Sequence, residues 1–371
     1  MSLLLSLFVA VVAIQCSYYT VFNLFFLLKK YRKLASANSA VARPISVIVC
    51  AKNEALHLEN LLPALLEQNY SAPLEFILVD DGSNDGTNKI FTSYAKQDKR
   101  VKVISLTASK NHKSSKKKAF STGISQATFD HVLCTDADCM PMSKNWIQHM
   151  SSCFNNHKSI VLGYGAYEKI DNSFLNKIIR YETLLTAMQY CSYASLGYAY
   201  MGVGRNLAYA KELFVKVDGF SSHAKIASGD DDLFINEVAT KSNTAICLHS
   251  DSFTVSKTNT TFKAWIQQKR RHISTASHYK IGHKILLGLF FLSQLVFPIL
   301  ALYLILKGEA IQEVLILITL RYTAFILALY RWSHLLKEKD LLLMGPLTEI
   351  SLIFIQCYLF FKNKTSRPQG W

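Results

Sequence analysis

No pair of the eight cysteines stands in a CxxC arrangement, and no Cys/His run has zinc-finger spacing. That excludes the zinc ribbons and dithiol redox sites which such patterns mark. Most of the cysteines, at 16, 50, 134, 139, 153, 191, 247 and 357, fall in apolar stretches. There cysteine acts as a small hydrophobe, so reduced, buried thiols are expected. A cleavable secretory leader is also missing. The first apolar run has no basic residue before it, too long a core and no small-residue cleavage site after it, so it is expected to stay as an anchor. Acidic residues are scarce, 26 against 41 Lys and Arg, for a formal net charge of +15. No nucleic-acid-binding motif accompanies that charge. It is expected to face membrane headgroups and substrate phosphates, with no nucleic acid as partner.

What the chain has in abundance is apolar sequence. Half of its 371 residues are hydrophobic and mean hydropathy is +0.16. These residues concentrate at 3–28 and from 285 to 361, around a stretch of ordinary globular composition. Residues 3–28 are long enough to cross a bilayer as a helix. Tyr18, Tyr19 and the run Lys29, Lys30, Arg32 and Lys33 read as interfacial anchors that put residue 29 onward in the cytosol. Residues 285–306, 311–331 and 341–361 read as three further spans. Basic residues between Arg331 and Lys339 place that loop in the cytosol and the C-terminus outside, whereas Lys362, Lys364 and Arg367 argue for inside. Arg321 and Glu349 lie within apolar runs and are expected to pair or to face the bundle interior. The layout expected is an anchor at 1–30, a cytosolic catalytic domain at 31–256, an interfacial amphipathic segment at 257–284, transmembrane helices at 285–361 and a tail at 362–371.

In the central stretch, ISVIVC (45–50), LEFILVD (74–80), VKVIS (101–105) and HVLCTD (131–136) read as buried strands. Leu recurs at helical spacing over 55–68, and helices are also expected near 86 and over 116–127. Alternating strands and helices predict a doubly wound α/β sheet, which binds ligands beyond the carboxyl ends of its strands. The acids stand there: Asp80 and Asp81 after the second strand, Asp136 and Asp138 after the fourth. In an extended segment Asp136 and Asp138 point to one side. Two carboxylates so placed suit a hard divalent cation, which in turn neutralises a diphosphate. Asp85 reads as a helix cap.

PISVIVCAKNEA (44–55), ILVDDGSNDGT (77–87), LCTDADC (133–139), GRNLAYAKELF (204–214), SGDDDLF (228–234) and QQKRRH (267–272) follow one another in the order found in one enzyme family. Over roughly residues 44–275 the chain resembles a family 2 inverting, membrane-anchored, bacterial-type glycosyltransferase with the GT-A fold. The resemblance implies that Asp81, Asn53 and Glu54 line a nucleotide pocket. It implies Asp138 as ligand of Mg²⁺ or Mn²⁺ on the donor diphosphate, with Asp136 close to ribose or metal. Asp230 or Asp231 would be the catalytic base, and Gln268 and Arg271 would meet the diphosphate and acceptor. His272 stands where the family has Trp, which puts stacking on an acceptor sugar in doubt. The acidic motif reads Gly229-Asp230-Asp231-Asp232 without the common Glu-Asp pair, and alignment on Asp232-Leu233 favours Asp230.

Chemistry alone agrees with these roles. Inverting transfer needs one base for the acceptor hydroxyl, and a nucleoside diphosphate leaving group needs fixed cations. Arg270, Arg271 and Lys116 to Lys118, Lys117 among them, are candidates. Tyr190, Tyr193, Tyr198 and Tyr200 read equally well as sugar platforms and as packing; Gly202 and Gly204 before Arg205-Asn206 read as a tight loop near the acceptor or simply as turn glycines. Residues 257–284 mix bases with Phe262, Trp265 and Ile266, as an interfacial helix does, which would bring a lipid or lipid-linked acceptor to Asp230. The expected partners are therefore a nucleotide-sugar donor (a UDP-sugar favoured), such an acceptor and the membrane. A processive polysaccharide synthase and a catalytically silent scaffold are the alternatives.

Overall fold

The run ISVIVCA forms strand β1 (Ile45–Ala51), buried along nearly its whole length. Its alternate side chains enter two different hydrophobic layers: Ile45, Val47 and Val49 one, Ile48 the other. A strand covered on both faces cannot spare a polar side, which is why the sequence reads as an unbroken apolar run. The computed structural model describes residues 2–27, 42–107, 116–226 and 228–366. Lys29, Lys30, Arg32, Lys33 and Arg367, whose charges entered the expected membrane topology, lie outside the described residues.

Strands β2 (Leu74–Asp80), β3 (Val101–Ser105) and β4 (His131–Asp136) extend β1 in parallel, in the order β3-β2-β1-β4. Beyond β4 the sheet departs from the all-parallel expectation. β8 (Leu207–Ala210) joins β4 antiparallel, β6 (Ile160–Leu162) pairs antiparallel with β8, and β9 (Thr244–Ile246) completes a seven-stranded sheet. These strands are three or four residues long, too short for a periodicity signal. β5 (Cys139–Pro141), β10 (Thr254–Ser256) and β7 (Gly165–Tyr167) form a small second sheet. The helices Ala55–Leu66, Thr87–Gln97 and Trp146–Ser152 cover one face of the main sheet through Leu58, Phe91 and Trp146. Lys116–Ser125 and Phe174–Ser195 cover the other through Phe120 and Leu184. A Cβ on Gly123 would meet Ile48 Cγ2 at 2.9 Å and Val79 Cγ2 at 3.1 Å, so only glycine lets the helix Lys116–Ser125 lie this close to β1 and β2.

Among the described residues three helices, Leu3–Leu27 (its last turn 3₁₀), Ile281–Leu306 and Ile311–Leu335, are long and apolar enough to cross a membrane. The fourth expected span is a helix, Gly345–Thr365, but it does not reach that apolarity; Thr348, Glu349, Lys362, Asn363 and Lys364 dilute it. Arg321 and Glu349 pair as expected. The guanidinium donates Nη1–H to Glu349 Oε2 at 2.9 Å and Nε–H to Gln15 Oε1 at 2.6 Å, and Tyr19 Oη–H reaches Glu349 Oε1 at 2.9 Å. Tyr19, Phe22, Phe290, Phe325 and Trp332 continue the hydrophobic cluster that covers the sheet, so apolar helices and α/β domain share one core. Buried Arg180 secures the join, donating to Glu338 Oε2 at 2.9 Å and Asp340 Oδ1 at 2.7 Å in the turn after Ile311–Leu335.

Candidate active site

β1 and β4 are neighbours in the sheet: after β1 the chain passes to β2 on one side, and after β4 to the strands beyond β4 on the other, and such a switch point opens a crevice at the carboxyl ends. A cavity of about 640 Å³ lies there. Glu54, Asp136, Asp138, Asp230, Asp231, Gln268, Arg271 and His272 all line it, although they are spread over more than two hundred positions of the chain. Asn53, Asp81 and Lys117 do not line it.

Each of those three is held elsewhere. Asn53 sits at φ 58°; its amide N–H donates to Ser83 Oγ and its Oδ1 accepts from Asn84 N–H, both at 2.9 Å. It thus shapes the loop after β2. Asp81 continues the β1–β2 ladder, its N–H donating to Ala51 O at 2.9 Å. Asp85 caps, as expected: Oδ1 accepts Thr87 N–H and Oδ2 accepts Ala55 N–H, each at 3.0 Å. Lys117 corrects the expectation of a cleft cation. Its ammonium is buried and donates to His223 O at 2.7 Å and Ile226 O at 3.0 Å, and burial pushes its pKa down to about 8. The helix turns Lys116 to the cleft instead. Lys116 Nζ stands 2.7 Å from Asp136 Oδ1 and 3.3 Å from Asp230 Oδ2, joining the two acidic motifs. Burial works against its charge, but Asp136, Asp230 and Asp231 outweigh that and hold its pKa well above the ordinary value.

The three consecutive acids have different tasks. Asp232 is buried in the wall, accepting Tyr279 Oη–H and Leu233 N–H at 2.7 Å and a hydrogen bond from Thr275. Asp231 Oδ2 accepts Gly204 N–H and its Oδ1 accepts Asp232 N–H, both at 2.7 Å. Burial and the charges of Asp230 and Asp232 push the Asp231 carboxyl up to about 7. Asp230 has no such backbone donor among the described residues and faces Lys116. Gly229, at φ 103°, makes the turn that presents it.

Asp136 and Asp138 fit a hard cation. Their carboxylate oxygens and the Cys139 sulfur lie within 4.8 Å of one another. Burial holds the Cys139 thiol well above its ordinary pKa, so it donates to Asp138 Oδ1 (3.2 Å) and leaves the oxygens as ligands. On the opposite wall the helix Phe262–Thr275 buries Trp265 and Ile266 against Ile178, Ile179 and Leu359. That seating turns Gln268, Arg271 and His272 to the cavity. Gln268 Oε1 accepts Asn259 Nδ2–H at 2.9 Å. Desolvation lowers the Arg271 pKa, and desolvation with the charges of Lys269 and Arg271 lowers that of His272, whose side chain is open to the cavity. Arg270 faces the other way, donating to Asn363 Oδ1 at 2.8 Å.

Residues 46–217 match the profile described as Glycosyl transferase family 2. Over those residues, just under half of its length, the chain resembles glycosyl transferase family 2. A stretch of 132 residues is 30% identical to the glycosyltransferase GlyG of Streptococcus pneumoniae, covering 35% of this chain and 42% of that protein. A stretch of 100 residues is 35% identical to an undecaprenyl-phosphate 4-deoxy-4-formamido-L-arabinose transferase of Pectobacterium atrosepticum, covering 25% of this chain and 28% of that one. The matched stretches thus span less than half of these curated relatives. The fold is GT-A: a mannosyltransferase of Pyrobaculum calidifontis superposes over 92% of this chain and 99% of its own, with TM-score 0.50 and 19% identity.

Two features of the cavity wall escaped the sequence reading. Arg205, taken as part of a turn, lies 4.1 Å over the Tyr167 ring and donates to Gly165 O at 3.0 Å, Ala166 O at 3.1 Å and Ser256 Oγ at 3.2 Å. Glu182, Thr186 and Gln189, three and four residues apart on Phe174–Ser195, present a polar stripe to the cavity, with Glu182 paired to Lys269. Helical spacing of polar residues inside an otherwise apolar helix was the available signal.

Proposed function

We propose that this protein is a membrane-resident inverting glycosyltransferase that moves one sugar from a nucleotide-sugar donor to a lipid or lipid-linked acceptor. The observation that carries the reading is the placement of Asp230: a carboxylate without a backbone donor among the described residues, across Lys116 from the Asp136–Asp138 pair. In this reading Asp230 takes the proton of the acceptor hydroxyl as that oxygen attacks the donor sugar carbon and the nucleoside diphosphate departs. Asp231, tied to Gly204 and Asp232, holds the loop that aims Asp230. Asp138, with Asp136, would hold Mg²⁺ or Mn²⁺, which offsets the negative charge of the leaving diphosphate. Lys116 and Arg271 add fixed positive charge at the same place. Glu54 lines the nucleotide end, and Asn53 and Asp81 act by shaping the loop beneath it. His272, open to the cavity, offers a hydrogen bond to the acceptor.

The apolar helices support membrane residence with several passes and a cytosolic catalytic domain. Leu287, from the apolar helix Ile281–Leu306, lines the same cavity as the acids, which suits an acceptor arriving from the bilayer. Three apolar spans among the described residues, and His272 in place of Trp, favour single transfer over processive synthesis.

Transfer and hydrolysis by purified membranes are to be measured against UDP-, GDP- and dTDP-sugars with Mg²⁺ or Mn²⁺. Metal-dependent turnover is expected in the wild type and a loss of about 10²–10⁴-fold in Asp230→Asn, the range typical of a missing general base. Asp138→Ala is expected to be equally inactive. Turnover that survives in Asp230→Asn would reassign the base. No turnover and no nucleotide binding with any donor would leave the silent scaffold.

A further inference from the structure

Behind the cleft lies a second cluster of ligand-type side chains that the chemistry above does not use. His149, on the helix Trp146–Ser152, faces His249 and Asp251 in the turn that leads into β10. Their ligand atoms all lie within 4.8 Å of one another. The two imidazoles are stacked, with centroids 3.9 Å apart and planes at 16°. All three side chains are half-buried, and none lines the catalytic cavity.

We propose that His149, His249 and Asp251 form a second metal site, for a borderline divalent ion of the zinc class, which braces this helix against this turn. Two imidazoles and one carboxylate are a donor set that zinc favours, whereas the all-oxygen pair Asp136–Asp138 suits magnesium or manganese. Three protein ligands leave a fourth position to water. Ligation needs neutral imidazoles. Ser250 Oγ–H donates to Asp251 Oδ1 at 3.3 Å, which orients the carboxylate, while Asp251 N–H donates to His249 Nδ1 at 3.2 Å, a bond that the ion would replace at that nitrogen. In a stack the nitrogen lone pairs run side by side. Binding therefore turns one ring about its Cβ–Cγ bond until both nitrogens lie about 2.0–2.1 Å from the ion.

The place matters because helix and turn meet at buried Asn206, the chain neighbour of Arg205 in the cleft wall. Trp146 Nε1–H donates to Asn206 Oδ1 at 3.0 Å, and Asn206 Nδ2–H donates to Ser252 O at 2.7 Å. An ion bridging His149 to Asp251 would stiffen that junction next to Arg205.

The test is calorimetric titration of the full-length, tag-free protein in detergent with ZnCl₂, followed by Co²⁺ absorption. One equivalent bound in the wild type and in Asp138→Ala, a raised Tm and a tetrahedral Co²⁺ spectrum are expected. His249→Gln and Asp251→Asn, which keep the shape of the turn, are expected to bind at least tenfold more weakly, and the His149→Ala/His249→Ala double variant not at all. Absence of stoichiometric binding in the wild type overturns the proposal, and so does binding that survives the double variant. A signal lost only in Asp138→Ala would place the ion in the catalytic cleft and overturn it equally.

Discussion

Three neighbouring aspartates differ in what touches them, and that difference is chemical. Asp230 faces a lysine, Asp231 is bonded to two backbone amides, and Asp232 is buried in the wall. Asp231, raised to about 7, has a stated consequence for stability. An unfolded Asp titrates near 3.9, so between about pH 4 and pH 7 the folded state binds more protons than the unfolded one. Stability from this group is therefore full at low pH and is lost as pH rises through about 7. In EDTA and without donor, Tm is expected to decline over that window in the wild type, and Asp231→Asn is expected to flatten the decline. An unchanged slope in the variant would show that Asp231 does not carry it. At this scale the sequence named the acids correctly as a group. Alignment on Asp232-Leu233 put Asp230 first, but the contacts that distinguish the three, such as the Gly204 N–H on Asp231, are tertiary and leave no local trace.

At the scale of elements, the basic helix Phe262–Thr275 depends on a partner far along the chain. Arg270 donates to Asn363 Oδ1 at 2.8 Å, and Asn363 Nδ2–H returns a bond to Arg270 O at 3.1 Å. The helix Gly345–Thr365 thus clasps the element that carries Gln268, Arg271 and His272. Asn363→Ala removes both bonds, each worth about 1 kcal/mol net. For a chain of this size Tm is expected to fall by roughly 2–4 °C per kcal/mol. Nucleotide binding, followed by its thermal shift, is expected to weaken several-fold. Unchanged nucleotide affinity beside the lower Tm would make the clasp a stability device only. The strands β1 to β4 were legible from their apolar runs, and so was the amphipathic character of residues 262–275. β6, β8 and β9 were not, since strands of three or four residues show no period.

The whole molecule is held by polar groups set among apolar helices. Arg321 and Glu349 are both nearly inaccessible, 1% and 3% exposed, and satisfy each other together with Gln15, Tyr19 and Gln294. Glu349→Gln leaves the guanidinium buried beside a neutral amide, a change expected to cost about 3–5 kcal/mol. Arg321→Met/Glu349→Leu, which removes both charges, is expected to recover most of it. Thermal unfolding in detergent distinguishes them. If the single and double variants melt alike, the pair is not the source of the cost. Lys169 and Arg180, reaching Asp340 and Glu338, extend the same logic to the junction between apolar helices and sheet.

The order of motifs, the strand ends that bear acids and the apolar runs were all determined by sequence, because each depends on neighbours a few positions away. That was enough for the α/β sheet, the cleft at its carboxyl ends and most of the cleft's acids. Tertiary structure decided which residues of each motif enter the cleft. Lys116 and Lys117 are adjacent and alike, yet the helix packed on β1 and β2 sends one to Asp136 and the other to the carbonyls of His223 and Ile226. His149 and His249 stand one hundred positions apart and meet only because a helix and a turn pack together. Side-chain direction follows the phase of an element against its neighbours, and no local pattern records that phase.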